Sequence, residues 1–472
     1  MKKIIFSFLS MVFSVSMFAQ SDLTFYHFGA ATPQSGMLNP SFFPDAKYYF
    51  SLPALSGIYT NANIGFRYND LMVPVEGTDS VKVDLERVLR KLKAGDNLSL
   101  RGDLSLLQFG MRTGAGNFSL FFNLRYDGGF RYPVSFLEYF IYGNGGLVGE
   151  SVEEEDLSGG GIAYHEIGLG YSRDVVILGD KNLTIGGRMK YLTGLAHAST
   201  SGDASLTLFT NPNDYSISAT FNNATYRTAG FNDIRGDNVT SYLASNKNKG
   251  FAVDVGAQLE INEKLNASLA INDIGWITWK QDIENYTLTN NQISLDGFEN
   301  LDDIDLAQAL EDSIDVWSER ETTRESFTTS TGTRIIAGAN YRVLPDGIVS
   351  GSLYRNGSSY GKSEIGFGAG YTHQFGKTLT LSATVLKEQS RPVEAGFGFV
   401  VRAGACQIYN VFDDIFNVVK DPADFQSASF RFGINFLIRG GNTEKKQKEE
   451  LSPFPPEYDL DYLLDDGNSD NN

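Results

Sequence analysis

From Ser427 to Phe436 the chain alternates strictly: Phe430, Phe432, Ile434 and Phe436 share one face, and Ser429, Arg431, Gly433 and Asn435 share the other. Successive side chains on a strand point to opposite sides, so this is a ribbon with one apolar and one polar face. Ile365, Phe367, Ala369 and Tyr371 repeat the pattern against Glu364, Gly366, Gly368 and Gly370; Phe251, Val253, Val255, Ala257 and Leu259 repeat it against Asp254, Gly256 and Gln258. The pattern recurs from about Ala54 to Phe436. Such a series predicts an all-β fold, an antiparallel transmembrane β-barrel whose strands face lipid with one side chain and the lumen with the next. Past the leader no apolar run reaches about 18 residues, so no spanning helix is expected. A closed barrel is the other structure that leaves no backbone group unpaired in hydrocarbon.

Residues 1–19 read as a signal peptide, with Lys2 and Lys3 before the apolar stretch Ile4 to Phe18 and small Ala19 at the cut. Export through it predicts a bacterial outer-membrane location, and the absence of a cysteine near the cut argues against a lipid anchor. Cys406 is the single cysteine, so neither an intrachain disulfide nor a cysteine metal cluster is expected, and the thiol is read as buried or lumen-facing. The net charge of −18 excludes nucleic acid as a partner. Residues 440–472 carry nine acidic and three basic side chains, so this tail supplies −6 of that total.

Connections sort into two kinds. Short ones, at Gly114–Asn117, Val175–Asn182, Asn262–Lys264, Leu344–Gly347 and Gly376–Lys377, carry turn-forming residues. Long ones, at Asn69–Gly102, Gly128–Gly160, Thr228–Lys249 and Ile277–Ser326, alternate with them. Barrels of this kind keep short turns at the periplasmic end, so both chain ends of the wall fall there. Sixteen ribbons are countable, or fourteen in the wall if the pair at 203–226 projects from an outer loop. Val83–Lys93 and Leu301–Trp317 have helical spacing and are expected as short loop helices.

The barrel proper is expected over 46–439. Before it, residues 20–45 are apolar and proline-broken, which admits two readings: a plug or hatch in the lumen, with Phe25, Phe28, Leu38, Asn39, Pro40 and Phe42 as its candidates, or a segment packed on the periplasmic rim. After it, 440–472 has a composition that cannot bury a core and reads as a disordered acidic periplasmic tail. Residues 457–466 within it mix Tyr458, Leu460, Tyr462, Leu463 and Leu464 with aspartates, a pattern suited to docking a periplasmic protein.

No chemistry of catalysis is visible. The four histidines have no metal-ligand spacing, and no serine elbow, phosphate loop or dinucleotide fingerprint occurs, so no enzyme activity, metal or cofactor is expected. The inward faces carry charges of both signs: Arg125, Arg188, Lys190, Asp254, Glu260, Glu364 and Arg431. A mixed lining suits internal ion pairs and a filled barrel more than an ion-selective pore. Trp276 and Trp279, at one strand end, are expected as anchors at the membrane interface.

The segment LNPS at 38–41, followed by SLPALSG at 51–57, resembles the N-terminal entry of the FadL-type long-chain fatty-acid transporter superfamily, with Ser41 where that motif has alanine. INDIGWITWK at 271–280 and EIGFGAGYTHQFG at 364–376 resemble a FadL-related family of Bacteroidota outer-membrane proteins of unknown function. The resemblance implies a fourteen-stranded wall, an N-terminal plug and no assigned chemistry. Two functions are carried forward: passage or binding of a small hydrophobic molecule in the lumen, with outer-membrane lipid around the wall, or a non-transporting accessory barrel for surface-protein assembly or secretion.

Overall fold

Strand alternation is carried through into a closed wall. The computed structural model describes residues 22–439 apart from 54, 56, 76, 79, 93–96, 156, 178–180, 201–203, 233–246, 289–290, 296–320, 358–359, 361–362, 390–392 and 413–425. The leader at 1–19, the helix expected at 301–317 and the tail at 440–472 lie outside the described residues.

Fourteen antiparallel strands form the barrel. They are β1 (Tyr48–Ser51 and Ile58–Asn63), β2 (Asn97–Thr113), β3 (Gly116–Arg131), β4 (Gly159–Ile177), β5 (Lys181–Thr200), β6 (Lys249–Asn262) and β7 (Leu265–Trp279). The second half is β8 (Phe327–Ser330 and Arg334–Leu344), β9 (Gly347–Asn356), β10 (Glu364–Phe375), β11 (Leu379–Glu388), β12 (Val393–Ala403), β13 (Cys406–Phe412) and β14 (Ser427–Ile438). Closure is made by β1, which pairs with both neighbours: Tyr59 lies opposite Asp103 of β2 and Arg431 of β14. β1 starts at Tyr48, before the alternation expected from about Ala54, and is interrupted before Ile58.

The pair at 203–226 adds no wall strands, although Ala224–Ala229 at its end extends the barrel sheet by pairing with the end of β5 at His197–Thr200. Ser205–Thr210 and Ile217–Asn222 join Ser151–Glu154 and Asn291–Leu295 in a separate four-stranded sheet at the outer end, packed with Tyr139 of the helix Val134–Tyr142. That leaves fourteen. The expected helix at 83–93 is Leu85–Leu92, burying Val88, Leu89 and Leu92.

The outward positions are apolar and bare. Leu169, Met189 and Phe367 are 66%, 63% and 60% exposed. A continuous belt of such side chains around a closed sheet is what hydrocarbon requires and water penalises. Cys406 is half-buried and shares the outward side with exposed Ile408, so it does not face the lumen.

Candidate functional site: a lumen filled in three layers

The layer nearest the short turns is the N-terminal segment itself. It folds as a helix, Asp22–Tyr26, and two 3-10 turns, Gly29–Ala31 and Pro33–Met37; Pro33 starts the second turn, where its missing N–H costs nothing. Between Asp22 and Asp45 it has no Asp, Glu, Lys or Arg. Phe25, Phe28, Leu38 and Phe42 are buried, in one cluster with Ile336, Tyr354, Leu386, Val400, Tyr409 and Val411 from β8, β9 and β11 to β13. Each such ring or leucine buried contributes about 1.5–3 kcal/mol.

Neutral hydrogen bonds complete the fit. Thr24 meets Thr384 at 2.7 Å, and Gln34 Nε2 donates to Asn435 Oδ1 at 2.7 Å while Asn435 Nδ2 returns to Gln34 Oε1 at 3.0 Å. Asn272 Nδ2 donates to the Leu38 carbonyl at 2.8 Å, and Gln407 Nε2 to that of Ala31 at 2.8 Å. His27 is bonded to Ser350, and Tyr26 to Ser268.

The turn at Asn39–Pro40–Ser41 is seated in a notch. Gly186 of β5 and Gly256 of β6 lie opposite each other in register, and both lack the side chain that would fill the space. A Cβ on Gly186 would overlap the Pro40 carbonyl, and one on Gly256 would overlap Asn39. Asn39 Oδ1 accepts from the Ser41 N–H at 3.0 Å and from Ser41 Oγ at 2.7 Å. The serine that departs from the transporter motif thus closes the turn with a bond that alanine could not make.

Further along the strands, away from those turns, lies a layer of charge. Arg125 on β3 contacts Glu166 on β4 at 3.2 Å and Asp273 on β7 at 2.7 Å. Lys190 on β5 contacts Asp254 on β6 at 2.7 Å and Asp273 at 2.6 Å, and Arg334 on β8 reaches Asp273 at 2.8 Å. Because β3 and β7 are four strands apart, about 19 Å along the wall, the Arg125–Asp273 contact is a chord across the lumen. Three cations meet three anions here, which is the condition under which buried charges are tolerated. Arg188 faces Asp254 across the β5–β6 register and stacks over Phe121 at 4.9 Å. Arg431 stands apart, between the rings of Phe25 at 4.7 Å and Tyr59 at 4.2 Å, with Asp103 at 3.7 Å. Glu260 and Glu364 are half-buried and outside this cluster: Asn182 donates to Glu260 at 3.0 Å, and Glu364 begins β10 at its outer end.

Glu166, Asp273 and Arg334 were not among the residues picked out by alternation. Asp273 has a left-handed backbone, φ 60°, beside a register shift between β6 and β7, so Asn272 and Asp273 are both buried although adjacent. A β-bulge of this kind re-aims a side chain and breaks the period of two. The only signal was two polar residues side by side, Asn272–Asp273, in an otherwise apolar strand.

The outermost layer is aromatic, and it corrects the expectation for Trp279. Its side chain is fully buried with Ile162, Leu192, Ile277 and Tyr360, 5.2 Å from the His197 ring, and its Nε1 donates to Thr329 at 2.9 Å. It is no interface anchor. Trp276, 52% exposed, does face outward. Two residues three apart on a strand cannot share a face, so the pair could not have anchored together. Between the charged and aromatic layers, a cavity of about 10 Å³ lined by Arg101, Arg125, Asp127, Tyr164 and Arg334 has room for about one water. Among the described residues no three His, Cys, Asp or Glu side chains are grouped to hold a metal ion.

A family model described as a family of unknown function, DUF5723, matches residues 40–413. The chain belongs to that family. No curated protein matches it in sequence. Solved structures similar to this DUF5723 member include the Ralstonia pickettii toluene transporter TbuX, at 10% identity over 86% of this chain and 93% of that one, TM-score 0.39. The Pseudomonas putida toluene transporter TodX has 8% identity over 89% and 97%, TM-score 0.39. A Pseudomonas aeruginosa FadL homologue has 10% identity over 86% and 94%, TM-score 0.36.

Proposed function

We propose that this DUF5723 protein is an outer-membrane barrel plugged by its own N-terminal segment, and that a small uncharged hydrophobic molecule binds or passes when the segment moves aside. One observation carries the reading: the segment is free of formal charge from Leu23 to Pro44, and at its level β9 to β13 present mainly hydroxyls, glycines and apolar side chains, Glu388 near Leu23 excepted. Whatever replaces it must satisfy the same surface, which is largely uncharged, with Arg431 over Phe25 and Arg188 beside Gly36 as its cations, so a cationic solute would lose its hydration there without a partner. Phe25, Phe28, Leu38 and Phe42 are the contacts such a molecule would substitute.

The test is removal of residues 22–45 from the mature chain. The barrel should still shift on a denaturing gel when heated, single-channel conductance in a planar bilayer should rise, and vesicles carrying the variant should admit an uncharged aromatic solute faster than those with the full chain. Conductance and entry unchanged from the intact protein would rule out the plug and favour a non-transporting accessory barrel.

A further inference from the structure

The lipid-facing wall carries a groove that the lumen does not explain. Two rows of outward side chains cross β2 to β6 side by side. One contains Met111, Phe118, Tyr171, Gly187 and Val255, and the other Phe109, Leu120, Leu169, Met189 and Val253; cross-strand pairing puts each beside the next. Gly187 interrupts the first row, leaving a cavity of about 750 Å³ between Tyr171, Leu169, Met189 and Val255. Its size lies within the ~300–1,000 Å³ range of ligand sites. Four interstrand steps make the row about 19 Å long. Pairing is unbroken across these strands at this level, so the floor is closed sheet and the groove opens to the membrane alone.

Its periplasmic end is marked. The Tyr171 hydroxyl donates to the Ala115 carbonyl of the β2–β3 turn at 2.6 Å. Arg173, one outward position beyond Tyr171 and so about 7 Å away, is exposed, and so is Lys181 at the start of β5 on the same outward side. Between the groove and the periplasmic turns no outward position of β2 to β6 is acidic, since Asp174 and Glu260 fall on the inward phase of the alternation. An apolar channel ending at Arg173, with Lys181 about 13 Å further towards the turns, fits a molecule with a long hydrocarbon tail and an anionic head.

We infer that this groove holds one acyl chain of an anionic phospholipid of the periplasmic leaflet, with Arg173 and Lys181 facing its phosphate. The site is independent of the lumen and of the plug. The full chain, purified in detergent and offered equal amounts of phosphatidylglycerol and phosphatidylethanolamine, should retain one phosphatidylglycerol in native mass spectrometry, favoured on the order of tenfold at low salt. Gly187→Leu should abolish retention while the heat-dependent gel shift persists, and Val255→Trp fills the same space from the next strand should the first variant fail to fold. Arg173→Gln with Lys181→Gln should remove the headgroup preference and keep the chain. Retention unchanged in both groove-filling variants would overturn the site, and equal retention of the two lipids by the unaltered protein would overturn the anionic head.

Discussion

The two halves of the lumen wall hold their contents by different means. From β3 to β8 the inner face is a charge network, in which Arg125, Lys190 and Arg334 converge on Asp273 at 2.7, 2.6 and 2.8 Å. From β9 to β13, at the level of the N-terminal segment, it is mostly Ser350, Ser352, Thr372, Ser382 and Thr384 with Leu386, Val400 and Tyr409, with the carboxylates of Glu388 and Glu394 buried at the outer ends of β11 and β12. The charges join wall to wall; the bonds to the segment, from β6 and β7 as well as from β9 to β13, are neutral. A buried charge stripped of its partner costs several kcal/mol, so the first arrangement resists coming apart. Neutral hydrogen bonds contribute about 0.5–1.5 kcal/mol net and are exchanged readily for others. The wall-to-wall charges can therefore persist while the neutral contacts to the segment are exchanged.

The sharpest way to break this contrast is at Asp273. Asp273→Asn keeps the shape and leaves three cations sharing two carboxylates, Glu166 and Asp254, so unfolding of the barrel in urea should lose about 3–5 kcal/mol. A loss below about 1 kcal/mol would mean that the cluster is well solvated and that the two halves are alike.

Next in size is Gly256→Val. Its side chain occupies the place of Asn39, and overpacking of this kind costs about 1–3 kcal/mol. Here the cost should fall on the segment: protease cleavage near Asn39 and bilayer conductance should both increase, with the heated-gel shift of the wall kept. Wall destabilisation without exposure of the segment would show that the notch belongs to the barrel alone.

The smallest effect is expected for Thr24→Val combined with Thr384→Val. Replacing both partners of a buried neutral bond by isosteric apolar groups is close to neutral, within about 1 kcal/mol. A loss comparable to that of Asp273→Asn would erase the distinction between the halves.

Much of this was legible in the chain. The period of two marked the strands and their outward faces, the alternation of short and long connections placed the wall's two ends together, and the apolar, proline-broken run at 20–45 stood apart from strand and tail alike. Arg125, Arg188, Lys190, Asp254 and Arg431 were found by the same alternation, and all five are buried. These are local properties: a strand's side-chain direction is decided by the residue's own place in the pleat.

What the tertiary structure decided is which of those residues meet. Asp273 points inward through a register shift that alternation cannot register, and Trp279 turns away from lipid on the far side of the same shift. The match of Asn39 and Pro40 to Gly186 and Gly256 joins positions far apart in the chain. So does the chord from Arg125 to Asp273. Such contacts depend on the register of every intervening strand and on closure of the wall, and closure is a condition on the whole barrel that no single ribbon carries.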